Sequence, residues 1–139
     1  MSNKEKLQAG LQKLGLELST TQQLLLLEYV ALLQKWNSTY NLTAVRDADA
    51  MITHHIIDSL TLLPSIKDAK TLMDVGSGGG MPGIPTAIAR PDLQITLLDS
   101  NTKKTSFLQQ AVIELGLENV TVAAGRVESM HDKKVDVVT

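Results

Sequence analysis

The chain has 139 residues, 43% of them hydrophobic, which is enough apolar material for the core of one compact domain. It has no cysteine, which excludes a disulfide framework and thiolate metal sites; its three histidines, His54, His55 and His131, are scattered, and no metal is expected. The formal charge of -2 leaves no basic footprint of the kind that nucleic-acid binders usually show.

The polar first ten residues contain no apolar stretch of the signal-peptide kind, and no apolar run approaches the roughly 20 residues that cross a bilayer, so a cytoplasmic protein is expected. Leu7, Leu11 and Leu14 recur at helical spacing, with Gly15 placed as the C-cap of a short first helix. Ser19, three residues before Gln22, reads as a capping box that opens a second helix through Leu24, Leu27, Val30 and Leu33 to about Trp36. Residues 37–46 break the pattern. Asp47 then suits the N-cap of a third helix carrying Ile52, Ile56, Leu60 and Leu63, with Pro64 stopping it. Residues 1–70 are thus expected to form a helical N-terminal subdomain.

From Thr71 the period changes. Short apolar or β-prone runs at 71–75, 94–98, 120–123 and 135–139 alternate with helical segments, notably 102–115, and predict parallel strands in an α/β fold. Pro85 suits a first helical turn, and Pro91 closes that helix. The run Val135-Asp136-Val137-Val138-Thr139 predicts a hydrophobic strand at a sheet edge, as in a chain cut off partway through its sheet.

The informative segment is Asp74-Val75-Gly76-Ser77-Gly78-Gly79-Gly80-Met81-Pro82-Gly83, between a predicted strand and a predicted helix. Glycines there allow a ligand to approach the backbone over the strand's carboxyl end. Gly78, Gly80 and Gly83 match the dinucleotide spacing G-x-G-x-x-G, although Pro82 falls inside the match. Alternatively, Asp74 to Gly80 reads as the D-x-G-x-G-x-G loop of S-adenosylmethionine-dependent methyltransferases, with Asp74 favouring the ligand's positive charges. Asp99, nineteen residues after Gly80, ends the second strand, where a carboxylate can accept hydrogen bonds from ribose hydroxyls; it serves either cofactor, or else caps the following helix. The third strand leads into Gly125-Arg126-Val127-Glu128, where an adenine pocket would lie.

Other marks run the length of the chain: Lys35-Trp36-Asn37, Tyr40-Asn41-Leu42-Thr43, Arg46-Asp47, His55-Ile56-Ile57-Asp58-Ser59-Leu60, Met81-Pro82-Gly83-Ile84-Pro85, Leu97-Leu98-Asp99-Ser100, Lys103-Lys104 with Phe107-Leu108, and Arg126-Val127-Glu128. In this order they resemble the bacterial small-subunit (16S) ribosomal RNA guanine-N7 methyltransferases, once called glucose-inhibited division protein B. The resemblance implies an α/β, Rossmann-like S-adenosylmethionine-dependent methyltransferase sheet, of which residues 71–139 supply the first four parallel strands. It also implies that Gly76, Met81, Val127 and Glu128 contact S-adenosylmethionine, with Asp99 at the ribose; Asp74 and Gly78 join them as loop residues. Members of that family continue past the fourth strand into an arginine-containing loop and the rest of a seven-stranded sheet, so the resemblance implies that part of the cofactor and substrate surface lies beyond Thr139.

Guanine N7 carries an in-plane lone pair and no proton, so its methylation needs alignment and tolerance of positive charge rather than a general base. That accords with the lack of a catalytic dyad: His55 and Asp58 sit beside Ile52, Ile56 and Leu60 at packing spacing. Trp36 and Tyr40 could stack on bases or pack between the helices and the sheet. Arg46, Lys103, Lys104 and Arg126 are the candidates for phosphate contacts with 16S ribosomal RNA or the small subunit. Two further functions stay open at this stage: a NAD(P)-binding oxidoreductase using the Gly78 register, and a non-catalytic RNA-binding or assembly module.

Overall fold

A computed structural model describes residues 2–44, 47–125 and 136–139. Helix α1 (Asn3–Leu14) opens on a Ser2 capping box with Glu5 and ends on Gly15 in the left-handed region, φ 67°. Leu7 and Leu11 are buried, whereas Leu14 in the last turn is 37% exposed, so only two of the three periodic leucines reach the core.

Helix α2 (Thr20–Tyr40) begins as the sequence predicts: the Ser19 hydroxyl accepts from Gln22 N–H, and the Gln22 side chain accepts from Ser19 N–H. It runs a full turn past Trp36, to a left-handed Asn41 cap (φ 51°). The extension has a packing cause. Asn37 is buried and its Oδ1 accepts from Thr43 N–H (2.9 Å), while Trp36 packs on Tyr40 one turn later and edge-on to Phe107, with ring centroids 5.3 and 5.6 Å away. Trp36 thus serves the packing of α2 on Phe107, while Tyr40 stays exposed and touches Trp36 within the same helix.

The predicted third helix is made of three pieces. Asp47 caps α3 (Ala48–Ala50) by accepting from Ala50 N–H, a π-helical stretch follows over Met51–Ile57, and α4 (Asp58–Leu60) restores the normal pitch. Ile52, Ile56 and Leu60 are buried as their helical spacing predicts, and the wider pitch accompanies the burial of Met51 as well, which that spacing did not mark. Pro64 does not simply stop the helix: it occupies the first turn of a 3-10 helix, Leu63–Ile66, where its missing N–H costs nothing.

The sheet comprises β1 (Thr71–Val75), β2 (Gln94–Asp99), β3 (Val120–Ala124) and β4 (Val137–Val138), all parallel, in the order β3-β2-β1-β4. β1 therefore has β2 on one side and β4 on the other, so the strand order reverses at β1, the place at whose carboxyl end open α/β sheets take their ligands. Between the strands run α5 (Gly83–Ala89) and α6 (Thr102–Leu115). One hydrophobic core extends without a break from Leu7 and Leu11 through Leu26, Val30 and Leu33 to Leu72, Leu97 and Phe107, so the helical region and the sheet share an interior. Gln22 reinforces the junction by donating to the carbonyls of Ile88 and Ala89 at the end of α5. Among the described residues, no helix is long and apolar enough to cross a membrane.

At the amino end of the sheet, the buried Asn119 amide donates to the carbonyls of Ala87, Arg90 and Leu93 at 3.2, 3.1 and 2.9 Å, tying α5 and the entry to β2 onto β3. Asn119→Ala leaves these carbonyls short of a donor and is expected to cost about 1–3 kcal/mol in urea unfolding. A loss below about 0.5 kcal/mol would mean that water replaces the amide there.

Candidate functional site

The glycine-rich turn leaves β1 at Val75, and Gly76, Gly78 and Gly80 adopt φ values of 69°, 56° and 91°. These are left-handed conformations in which a side chain is strained, so glycine is needed at each. Successive N–H groups pin the turn to the end of β2: Gly76 and Ser77 donate to the Leu98 carbonyl at 2.7 and 3.2 Å, and Gly78 donates to Asp99 Oδ2 at 3.0 Å. Asp99 Oδ1 accepts from Asn101 N–H at 2.8 Å. Asp99 is therefore not the cap of α6. That task falls to Asn101, whose Oδ1 accepts from Lys103 and Lys104 N–H.

Asp74 faces the other way. Its buried carboxyl accepts from Gly83 N–H (3.0 Å) at the start of α5 and from the Thr139 hydroxyl (3.3 Å), and burial pushes its pKa up to about 6. Gly83 is packed so tightly that a Cβ would lie 2.3 Å from Leu97 Cδ2 and 2.8 Å from Asp74 Oδ2. The contrast with Gly76 is sharp, because a Cβ there would meet nothing within 4 Å. At Gly78 it would meet only the Gly76 carbonyl, 3.9 Å away. The turn is thus packed at Gly80 and Gly83, open to solvent at Gly76, and buried at Gly78 but with room beside its backbone.

The open face at Gly76 lies beside the carboxyl ends of β1 and β2, where Asp99 is 93% shielded yet retains acceptor capacity, since each carboxylate oxygen has two lone pairs and accepts one backbone N–H. The arrangement suits a ligand carrying vicinal hydroxyls near Asp99 and a compact chain over Gly76. It does not suit a pyrophosphate. The early N–H groups of α5 are taken within the chain, Gly83 by Asp74, Ile84 by the Gly80 carbonyl and Thr86 by the Pro82 carbonyl, and Pro85 has none.

The remaining predicted residues distribute around this centre. Met81 follows the turn half-buried, with its Cε 3.0 Å from the place a Gly79 Cβ would take. Lys103 and Lys104 open α6 directly after the Asp99 strand, Lys103 exposed and Lys104 half-buried. Arg46, Arg126, Val127 and Glu128 lie outside the described residues. His55 is half-buried, held below the usual histidine range chiefly by that burial, and shares a 2.8 Å hydrogen bond through Nε2 with the Thr43 hydroxyl; Asp58 is exposed. The sequence reading missed Tyr29 and Asn101, and named Asn37 only as a family mark, without its bond to Thr43. Only Asn101 carried a local signal, as a cap residue just ahead of a helical run.

Comparison with known proteins gives a consistent picture. A family model described as GidB, rRNA small subunit methyltransferase G, matches residues 22–139. The chain is 65% identical over 139 residues to the ribosomal RNA small subunit methyltransferase G of Neisseria meningitidis serogroup B, and 63% identical over 139 residues to that of Neisseria gonorrhoeae; each alignment covers 100% of this chain and 67% of the relative. The protein of the same description from Chromobacterium violaceum is 57% identical over 135 residues, covering 96% of this chain and 65% of its own length. The chain thus spans about two thirds of the length of these relatives. Among solved structures, a Klebsiella pneumoniae protein assigned as an O-methyltransferase superposes with a TM-score of 0.60 at 18% identity, over 79% of this chain and 51% of that one. At that identity the likeness concerns the fold alone: a helical region followed by a parallel sheet of the Rossmann-like methyltransferase kind.

The two faces of the turn respond differently to an added methyl group. Gly83→Ala is expected to cost about 1–3 kcal/mol of stability through overpacking. Gly76→Ala should cost about 1–2 kcal/mol through its backbone angle alone while placing a methyl on the open face, and so should lose most of its affinity for S-adenosylhomocysteine. Urea unfolding with calorimetry on both variants checks this. Undiminished affinity in Gly76→Ala would place the ligand elsewhere.

Proposed function

The chain belongs to the GidB family of small-subunit ribosomal RNA methyltransferases, and from that premise we propose that it transfers a methyl group from S-adenosylmethionine to guanine N7 in 16S ribosomal RNA. The observation that carries the cofactor side is the Asp99 carboxylate, fixed at the end of β2 by Gly78 and Asn101 beside the open face of Gly76. When bound, S-adenosylmethionine supplies an electrophilic methyl group on a sulfonium.

In this reading Gly76 and Gly78 lie under the amino-acid part of the cofactor, Asp99 accepts from the ribose hydroxyls, and Met81, Val127 and Glu128 complete the pocket. Asp74 acts from behind the turn, holding Gly83 and hence the angle at which α5 leaves it. The nucleophile is the base itself. Because N7 bears no proton, the chain's task is to orient the base and keep water away, and no side chain has to accept a proton for the new bond to form. Lys103 and Lys104, at the same end of the sheet as Asp99, with Arg46 and Arg126, are the proposed partners of the RNA backbone.

The oxidoreductase alternative needs helix N–H groups for a pyrophosphate, and the early N–H groups of α5 are engaged within the chain. A purely RNA-binding module gives no reason for a shielded carboxylate beside an open glycine face.

The test is calorimetric titration with S-adenosylhomocysteine, with NAD as control ligand and Asp99→Ala as the variant. The expected outcome is saturable binding in the wild type, weakened at least about tenfold in the variant, and no heat from NAD. NAD binding, or affinity indifferent to Asp99, would overturn the assignment. Transfer of label to N7 of guanine in small-subunit RNA tests the substrate.

A further inference from the structure

Tyr29 is wholly buried in the middle of α2, on a helix whose sequence reads as ordinary core, yet its hydroxyl donates to the Gly79 carbonyl at the apex of the glycine turn. Burial, and secondarily the charge of Asp74, push the phenol well above its ordinary range, which keeps its proton on and the hydroxyl a donor at neutral pH. On the same peptide unit, Gly80 N–H donates to the Ser77 carbonyl at 2.7 Å. The Gly79–Gly80 peptide plane is therefore held at both ends, by the turn itself and by α2. Around it, Leu33 Cδ1, Met81 Cε and Leu42 Cβ lie 3.1, 3.0 and 3.8 Å from where a Gly79 Cβ would sit, so the turn has no room to settle closer to α2.

A glycine-rich turn without such support samples many backbone states, and a ligand that binds only one of them loses apparent affinity in proportion to how seldom that state is populated. We propose that Tyr29 is a positioning residue for cofactor binding: its hydroxyl locks the Gly79 carbonyl, and so presents Gly76 and Gly78 in a single, binding-ready conformation. This rests on the S-adenosylmethionine reading given above. It assigns α2 a part in cofactor affinity beyond its share of the core, because the same helix also holds, through Asn37 Oδ1 and Thr43 N–H, the segment in which Leu42 covers Gly79.

Tyr29→Phe keeps the ring and removes only the donor. The expected result is an S-adenosylhomocysteine dissociation constant raised about tenfold. In methyl transfer, KM for the methyl donor should rise by about the same factor, with kcat at saturation changed less than about twofold. Leu7→Ala, a core truncation on α1, serves as the control that lowers thermal stability without altering affinity. Wild-type binding with unchanged affinity in Tyr29→Phe overturns the proposal and leaves the cofactor assignment standing. A wild type that does not bind S-adenosylhomocysteine overturns the cofactor assignment, and this role for Tyr29 with it. Should Tyr29→Phe fail to fold, 3-fluorotyrosine incorporated in a Tyr40→Phe background strengthens the same donor: a changed dissociation constant upholds the proposal and an unchanged one overturns it.

Discussion

The fixing of the glycine turn to the end of β2 is the constraint on which the rest of the site depends. Three consecutive N–H groups, at Gly76, Ser77 and Gly78, are used on Leu98 and Asp99, so the backbone that ends the first strand is registered against the second before any ligand arrives. This requires β1 and β2 to be parallel neighbours in the observed register, with Val75 opposite Leu98. It also requires positive φ at Gly76 and Gly78, which only glycine adopts without strain. Asp99 consequently serves as an acceptor for the turn while keeping a carboxylate at the carboxyl end of β2.

The same internal satisfaction of the turn decides what chemistry it can serve. A pyrophosphate is recognised by unused helix N–H groups, and the early ones of α5 are spent on Asp74, Gly80 and Pro82. What remains is an open, glycine-lined surface next to a carboxylate, suited to a cationic ligand that carries a ribose. For a base nitrogen already provided with a lone pair, holding the methyl donor and the acceptor in line is most of the task. A turn whose Gly76, Ser77 and Gly78 N–H groups are used on β2, with Asp74 holding Gly83 and Tyr29 holding the Gly79 carbonyl, fits that need.

Much of this was legible in the sequence because local rules agreed with one another. The capping box at Ser19, Gly15 as a C-cap, the first strand and the helix over Thr102–Leu115 follow from short-range signals, and the glycine spacing with Asp99 pointed to the turn that the structure fixes to the end of β2. Features set by tertiary contact were not legible. Helix α2 runs on to Tyr40 because Trp36 has Phe107 to pack against and Asn37 has Thr43 to hold, neither of which a helical periodicity reveals. The π-helical stretch over Met51–Ile57 changes the period itself, so the leucines and isoleucines chosen at 3.6-residue spacing described only part of the buried face. Asp74 appears in the motif as a residue of the turn, but which side of the turn its carboxyl takes depends on Gly83, nine residues later. Tyr29 gave no signal, since one polar atom in an apolar helix finds its partner only when the chain folds back across fifty residues.

The most direct test of the central claim, that the cofactor lies over Gly76 and Gly78 beside Asp99, is amide chemical-shift mapping of isotope-labelled protein during titration with S-adenosylhomocysteine. Saturable shifts are expected at Gly76, Gly78, Asp99 and Asn101, with the amides of α1 and the Asn119 end of the sheet undisturbed. Shifts centred on the opposite end of the sheet, with the glycine turn silent, would contradict it.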